Sequence, residues 1–279
     1  MAGTFDREPG TAGVSESIGF LLIFTIVIAG IGLVTLYGYP MLLAQQVSAD
    51  EKIMEKNMIV LQNDVKGITF KTVPYKETSL KIGGGSLTVY NSSYTPTTST
   101  VKVYDKSHVF LDSFRSGDLR YTSESSGTDI SLQNGAVVMR PHTAPGSVML
   151  AEPRWFYDGQ TNTMVINLIS FNSTDVMSIA GIGTVQMAMG ETAYQYLDTF
   201  DGDIYLDYKP DTTPNVAEDY GIAWDNYFIN SLKMTNVTSP SPPVPGTLTY
   251  KLPLKTSVPL TDPQPRLVIK TYDVVIKSL

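Results

Sequence analysis

The chain has 279 residues, 42% hydrophobic and 17% charged, with a formal net charge of −7 and a pI near 4.8. An acidic balance of this kind lacks the basic footprint that phosphate binding requires, which excludes a nucleic-acid surface. The absence of cysteine removes disulfide scaffolds and thiolate chemistry and leaves stability to core burial.

Residues 1–15 read as a short polar leader containing Asp6, Arg7 and Glu8. From Ser17 to Ala49 the chain then runs 33 residues without a charge. At ~1.5 Å rise per residue, Ile18 to Leu43 alone reach ~39 Å, enough to cross a ~30 Å hydrocarbon core with tilt. The Ile, Leu, Val and Phe residues of that stretch favour insertion by roughly 5–9 kcal/mol before Gly, Thr and Pro oppose it. A removed secretory signal would find a cleavage site at Val47-Ser48-Ala49, but the segment before the apolar run is not basic and the run is too long. The retained readings are therefore a membrane anchor and the core of a helical filament.

After Ala49 the helix continues with a one-sided pattern. Met54, Met58, Leu61 and Val65 recur at steps of four, three and four, while Asp50, Lys52, Glu55, Lys56 and Lys66 face elsewhere. Residues 16–66 are thus expected as one long helix, with 17–49 in membrane or filament core and 50–66 amphipathic. Gly38 and Pro40 mark a kink, since proline removes a donor and crowds the preceding turn. Gly30 and Gly32 narrow the helix and allow neighbours to approach closely.

Gly13-Val14-Ser15-Glu16-Ser17-Ile18-Gly19, followed by Phe20-Leu21-Leu22-Ile23, resembles the start of archaeal type IV pilin-like preproteins with class III signal peptides. Gly146 to Pro153 and Trp155 to Asp158 look similar to uncharacterised pilin-like surface proteins of methanogenic archaea. The resemblance implies that a prepilin-type peptidase cuts before the apolar run, near Gly13 and Ser15, and that the helix stays with the mature protein. It also implies that Glu16 pairs with the terminal amine of a neighbouring subunit, where an unpaired carboxylate would be costly. The simpler account makes Ser15 an N-cap and sets Glu16 against the positive end of the helix. The sequence pattern departs from the family at the cut, because Glu8 and Pro9 separate Arg7 from Gly10 and no basic residue directly precedes Gly13.

Flanking charge gives no vote on orientation, with Arg7 on one side and Lys52 and Lys56 on the other. Three acceptor triplets, beginning at Asn91, Asn172 and Asn236, suit a glycosylated domain outside the cell. Residues 67–279 read as that domain, all-β in texture, with strands expected at 68–73, 86–90, 101–104, 108–111, 136–139, 163–169, 184–189, 204–208, 248–252 and 267–276. Gly83-Gly84-Gly85 reads as a hairpin turn. Val216 to Leu232 is expected as a short amphipathic helix using Trp224 as a contact, and 239–246 as a Pro-rich loop. The expected fold is mainly β with one long N-terminal helix: a β-sandwich-like antiparallel head carrying a short amphipathic helix.

Chemistry is thinly represented. His108 and His142 show no thiol or carboxylate motif beside them. Asp198, Asp201 and Asp203, with Asp207 and Asp211 nearby, form the best cation-like cluster, but the spacing is irregular and fits a solvated Asp-Gly turn better. No metal, cofactor or catalytic group is expected. The reading is a non-enzymatic pilin-like surface protein, anchored or polymerised through its helix, with the membrane and sister pilin-like subunits as partners. The alternative is a monomeric single-pass protein whose head binds a ligand, a cell-wall polymer or a neighbouring surface protein.

Overall fold

The computed structural model describes residues 12–71, 73–93, 99–142, 144–210, 220–237 and 246–279. The chain forms two compact units, Met1–Ala49 and Asp50–Leu279. Helix α1 covers Ala12–Leu33, a π-helical turn covers Val34–Gly38, and helix α2 covers Tyr39–Lys71. The helix is already running at Ser15, so Ser15 is not the N-cap. No proline lies between Thr11 and Pro40, and helix therefore propagates back past the apolar run.

In the second unit α2 continues to Lys71 rather than ending at 66. The strand expected at 68–73 is instead the last turn of this helix. Ile68 extends the buried stripe of Met54, Met58, Leu61 and Val65 by one more step of three. Its β-branched neighbour Thr69 donates its hydroxyl to the Val65 carbonyl at 2.8 Å, which suits a helix as well as a strand. Burying those five apolar side chains contributes on the order of 8–15 kcal/mol.

A nine-stranded sheet has the order β7 (Val148–Ala151), β6 (Ala136–Pro141), β5 (Thr128–Gln133), β4 (Asp118–Ser123), β1 (Tyr75–Tyr90), β10 (Ser178–Leu197), β14 (Arg266–Ser278), β9 (Thr163–Ser173) and β8 (Phe156–Asp158). All its pairs are antiparallel except β14 with β9, which is parallel. A five-stranded antiparallel sheet has the order β12 (Thr235–Val237), β13 (Leu248–Lys251), β11 (Tyr205–Lys209), β2 (Thr100–Tyr104) and β3 (Val109–Arg115). Helix α3 (Gly221–Asn226) and a π-helical turn (Tyr227–Ser231) follow β11.

Side-chain alternation divides the unit into two cores. Along β9, Met164, Ile166 and Leu168 enter one core, while Ile169 and Phe171 enter the other. The first core lies with the five-stranded sheet and with Trp224 and Phe228, both fully buried; the second lies with the α2 stripe. The mostly β architecture with two sheets and one long N-terminal helix is the expected fold class. The short amphipathic helix is present as α3 with its π turn; Ala217 and its neighbours at 216–219 lie outside the described residues, as do 239–245 of the Pro-rich loop.

The three consecutive glycines form no hairpin turn. They lie within β1, where the register with β10 shifts between Ile82 and Leu87 and pairing with β4 begins at Gly85. An odd step of five would turn Leu87 to the face opposite Ile82, and the bulge absorbs it. Leu80, Ile82, Leu87 and Val89 consequently share one core. Gly84 has φ of +64°, and a Cβ on Gly85 would stand 2.1 Å from the Thr122 carbonyl oxygen, so neither position admits a side chain without displacing backbone.

Candidate functional site: the apolar helix and a buried polar layer

In the first unit the large apolar side chains from Ile18 to Leu43 stand exposed, from 43% at Leu43 to 73% at Tyr37. The two threonine hydroxyls of this stretch are satisfied inside the helix. Thr25 and Thr35 donate their hydroxyls to the carbonyls of Leu21 and Ile31 at 2.7 and 2.8 Å, which removes the cost of placing those two hydroxyls in hydrocarbon. The π turn ends directly before Tyr39 and Pro40, and the Tyr39 N–H bonds the Val34 carbonyl five residues back. Proline at 40 has no N–H and its ring crowds the carbonyl of Leu36, so the ladder widens by one residue there. Gly30 and Gly32 face open space. Gly13, Ser15 and Glu16 lie in the first turns of α1; the side chains of 12–16 and residues 1–11 are outside the described residues.

The acceptor asparagines differ in how free they are. Asn91 donates its amide to the Ser173 carbonyl at 2.7 Å and accepts from the Ser93 N–H at 2.8 Å. Asn172 donates to the Asp273 carboxylate and accepts from the Ser92 hydroxyl at 2.5 Å. Asn236 is exposed on β12, and Thr238 of its triplet lies outside the described residues.

Asp198, Asp201 and Asp203 are not brought to a common point. Asp203 pairs with Lys251 at 2.7 Å, Asp201 accepts from the Ser107 hydroxyl, and Asp198 accepts from Thr199 at 3.3 Å. Asp207 accepts from Thr249 at 2.7 Å, and Asp211 lies outside the described residues. Among the described residues no group of three or more His, Cys, Asp or Glu side chains has metal-binding geometry. The residue that organises this loop is Asp105, which the sequence reading passed over. Its buried carboxylate accepts backbone N–H bonds from Ser107, His108 and Asp201 at 2.8, 2.7 and 2.8 Å. Burial pushes its pKa up, but those donors and the His108 ring together hold it below the ordinary carboxylate value.

Both histidines meet carboxylates, His108 that of Asp105 three residues before it, which the reading of no carboxylate motif overlooked, and His142 that of Asp129 on another strand. His108 Nδ1 lies 3.3 Å from Asp105, and His142 Nε2 lies 2.9 Å from Asp129. The second contact belongs to a buried polar layer on β4, β5 and β6. Arg140 faces Asp129 across the strand pair and bonds it at 2.9 Å. Arg120 Nε and the Ser131 hydroxyl bond Asp118 at 2.9 and 2.6 Å. The guanidinium of Arg140 lies 4.5 Å from the ring centre of fully buried Tyr220, and that of Arg120 lies 4.5 Å from the Tyr90 ring. Burial raises the Tyr220 phenol far above its ordinary range. Asp129 is pushed up by burial, yet bonds from His142, Arg140 and Thr122 bring it below the ordinary carboxylate value. Leu119 and Tyr121 alternate with Asp118 and Arg120, so a strand with one polar face was the signal; the second sheet then buries that face.

Among the described residues, one helix apolar enough to cross a membrane, compatible with anchoring, and a β-rich unit with its own cores define the class of protein. The chain belongs to DUF7289, a family of unknown function, whose profile matches residues 13–251 and so takes in the apolar helix and most of the β-rich unit. No curated protein and no solved structure matches it.

Proposed function

We propose that the chain is a non-enzymatic, pilin-like surface protein, held in a membrane or a filament core by its apolar helix and presenting the β-rich unit outside the cell. The exposure of the side chains from Ile18 to Leu43 carries this reading, because so much apolar surface needs lipid or sister helices around it. The resemblance of Gly13 to Ile23 to type IV pilin-like starts supports processing by a prepilin-type peptidase and assembly through Glu16. Exposed Asn236 supports an external, glycosylated face.

Monomeric anchoring is the second reading, and the self-satisfied hydroxyls of Thr25 and Thr35 favour it, since neither asks for a polar partner from a neighbouring helix. Intact mass with N-terminal sequencing of the native protein tests processing: a start between Thr11 and Glu16 supports prepilin-type cleavage, and a start at Asp50 contradicts retention of the helix. Electron microscopy of filaments from cells expressing a tagged copy separates the two readings, and recovery solely as dispersed membrane monomer removes assembly. Glu16→Gln is expected to leave insertion intact and lower polymer yield; an equal yield removes the role given to Glu16.

A further inference from the structure

The sheet face that α2 covers continues beyond the end of the helix. Under α2 this face contributes Val274 and Ile276 of β14 to the core. The helix stops at Lys71, with Phe70 packed edge-on against Tyr272 at 5.3 Å between ring centres. Past that contact two cross-strand rows of the same face run on without a helix over them. One runs from exposed Tyr194 through half-exposed Lys270 to buried Asn167, and the other runs Tyr196, Val268, Val165, Phe156, with the two valines half-exposed between exposed rings. Tyr194, Tyr196 and Phe156 are exposed by 60%, 46% and 50%, an unusual concentration of bare aromatic surface.

Two cations border these rings. Lys270 Nζ lies 5.4 Å from the Tyr194 ring centre, and the Arg154 guanidinium lies 5.0 Å from that of Phe70. Neither has a carboxylate within ion-pair distance among the described residues. Lys66 stands close enough that, after burial, the charge of Arg154 is the second cause lowering its pKa. In a chain of net charge −7 this face collects unpaired positive charge beside flat rings. At ~4.8 Å between strands, the row from Tyr196 to Phe156 spans ~14 Å, the length of a few sugar rings in a chain.

We propose that this open face of β10, β14, β9 and β8 binds an acidic polysaccharide, with pyranose rings stacked on Tyr194, Tyr196 and Phe156 and ring carboxylates held by Lys270 and Arg154. The C–H face of a pyranose complements the negative face of an aromatic ring. A guanidinium matches a carboxylate with two parallel donors, while an ammonium supplies a mobile point charge. A neutral glucan would leave both cations unused, and an acidic peptide would leave the three rings without flat partners. The site lies wholly within the β-rich unit and does not depend on whether the apolar helix anchors or polymerises.

The test uses the full chain in detergent micelles over immobilised polygalacturonate, read by biolayer interferometry, with dextran and poly-L-glutamate as comparison surfaces. Saturable binding to polygalacturonate that weakens with salt is expected, with Lys270→Gln and Arg154→Gln each weakening it about tenfold and Tyr194→Ala by a similar factor. All three side chains are at least partly exposed, so melting curves of the variants should match the parent; should one variant fail to fold, the other two decide. No binding, binding indifferent to all three substitutions, or equal binding to dextran overturns the proposal. Equal binding to poly-L-glutamate also overturns it, in favour of an acidic protein partner.

Discussion

Between Ile18 and Leu43 the large apolar side chains are open on every face of the helix, whereas Met54, Met58, Leu61, Val65 and Ile68 are completely buried along one. The chemistry of the side chains is nearly the same in both regions; what differs is what lies between them. Charged residues interleave the second stretch and are absent from the first. Interleaving leaves a single stripe that one sheet face can cover, while uniform apolarity leaves a cylinder that one sheet cannot. The second region buries its apolar surface on its own β-rich unit, and the first leaves it bare, which is compatible with a membrane anchor.

That contrast breaks most visibly under a buried charge. Leu61→Asp is expected to remove more than ~5 kcal/mol from the β-rich unit and abolish cooperative melting. Ile28→Asp should leave the melting of that unit within ~0.5 kcal/mol of the parent while weakening membrane insertion by ~3–4 kcal/mol. Circular dichroism of the full chain in detergent and alkaline extraction of membranes read the two effects. If both substitutions damaged melting equally, the two regions would not be energetically distinct.

Asp129→Asn asks whether the β-rich unit also depends on buried charge. Removing the buried carboxylate charge that faces Arg140 is expected to lower stability by ~4 kcal/mol in denaturant melts, and a loss below ~1 kcal/mol would contradict the buried layer. Gly85→Ala follows at ~3 kcal/mol, because a Cβ would collide with the Thr122 carbonyl where β1 meets β4. A neutral outcome would show that the bulge does not set the register.

The smallest effect is on acid stability. Asp105 and Asp129 have folded pKa values below the ordinary 3.8. Their stabilisation is fully present above that value and is lost as pH falls through the depressed folded values. Melting temperature should therefore drop below about pH 4, and the drop should shrink in Asp129→Asn. An unchanged acid limb in that variant would remove Asp129 from the account.

The sequence carried the long helix, its apolar and amphipathic halves and the β texture, because periodicity and the absence of charge are local signals. It lost β4 and β5 for a physical reason. Charged residues such as Asp118, Arg120 and Asp129 ordinarily mark solvent, yet each is buried and partnered within the sheet, Asp118 by Arg120 of its own strand and Ser131 of β5, and Asp129 by Arg140 of β6. The glycine triplet misled in a similar way: three glycines mark a departure from regular backbone, but only the pairing on both sides shows a bulge instead of a reversal. Ile68 and Thr69 were misassigned because β-branched residues suit strands, and the buried stripe overrode that preference. The aspartates at 198, 201 and 203 looked like a cluster in sequence and separate in space, while Asp105, which organises their loop, sits far away in the chain.

With no charge over 33 residues, the segment from Ser17 to Ala49 should require an apolar surround. Sedimentation of the native polypeptide without detergent, with intact mass showing that the segment is retained, tests it most directly. All of the protein is expected to pellet with membranes or filaments and to be released only by detergent. A freely soluble monomer that still carries the segment would contradict it.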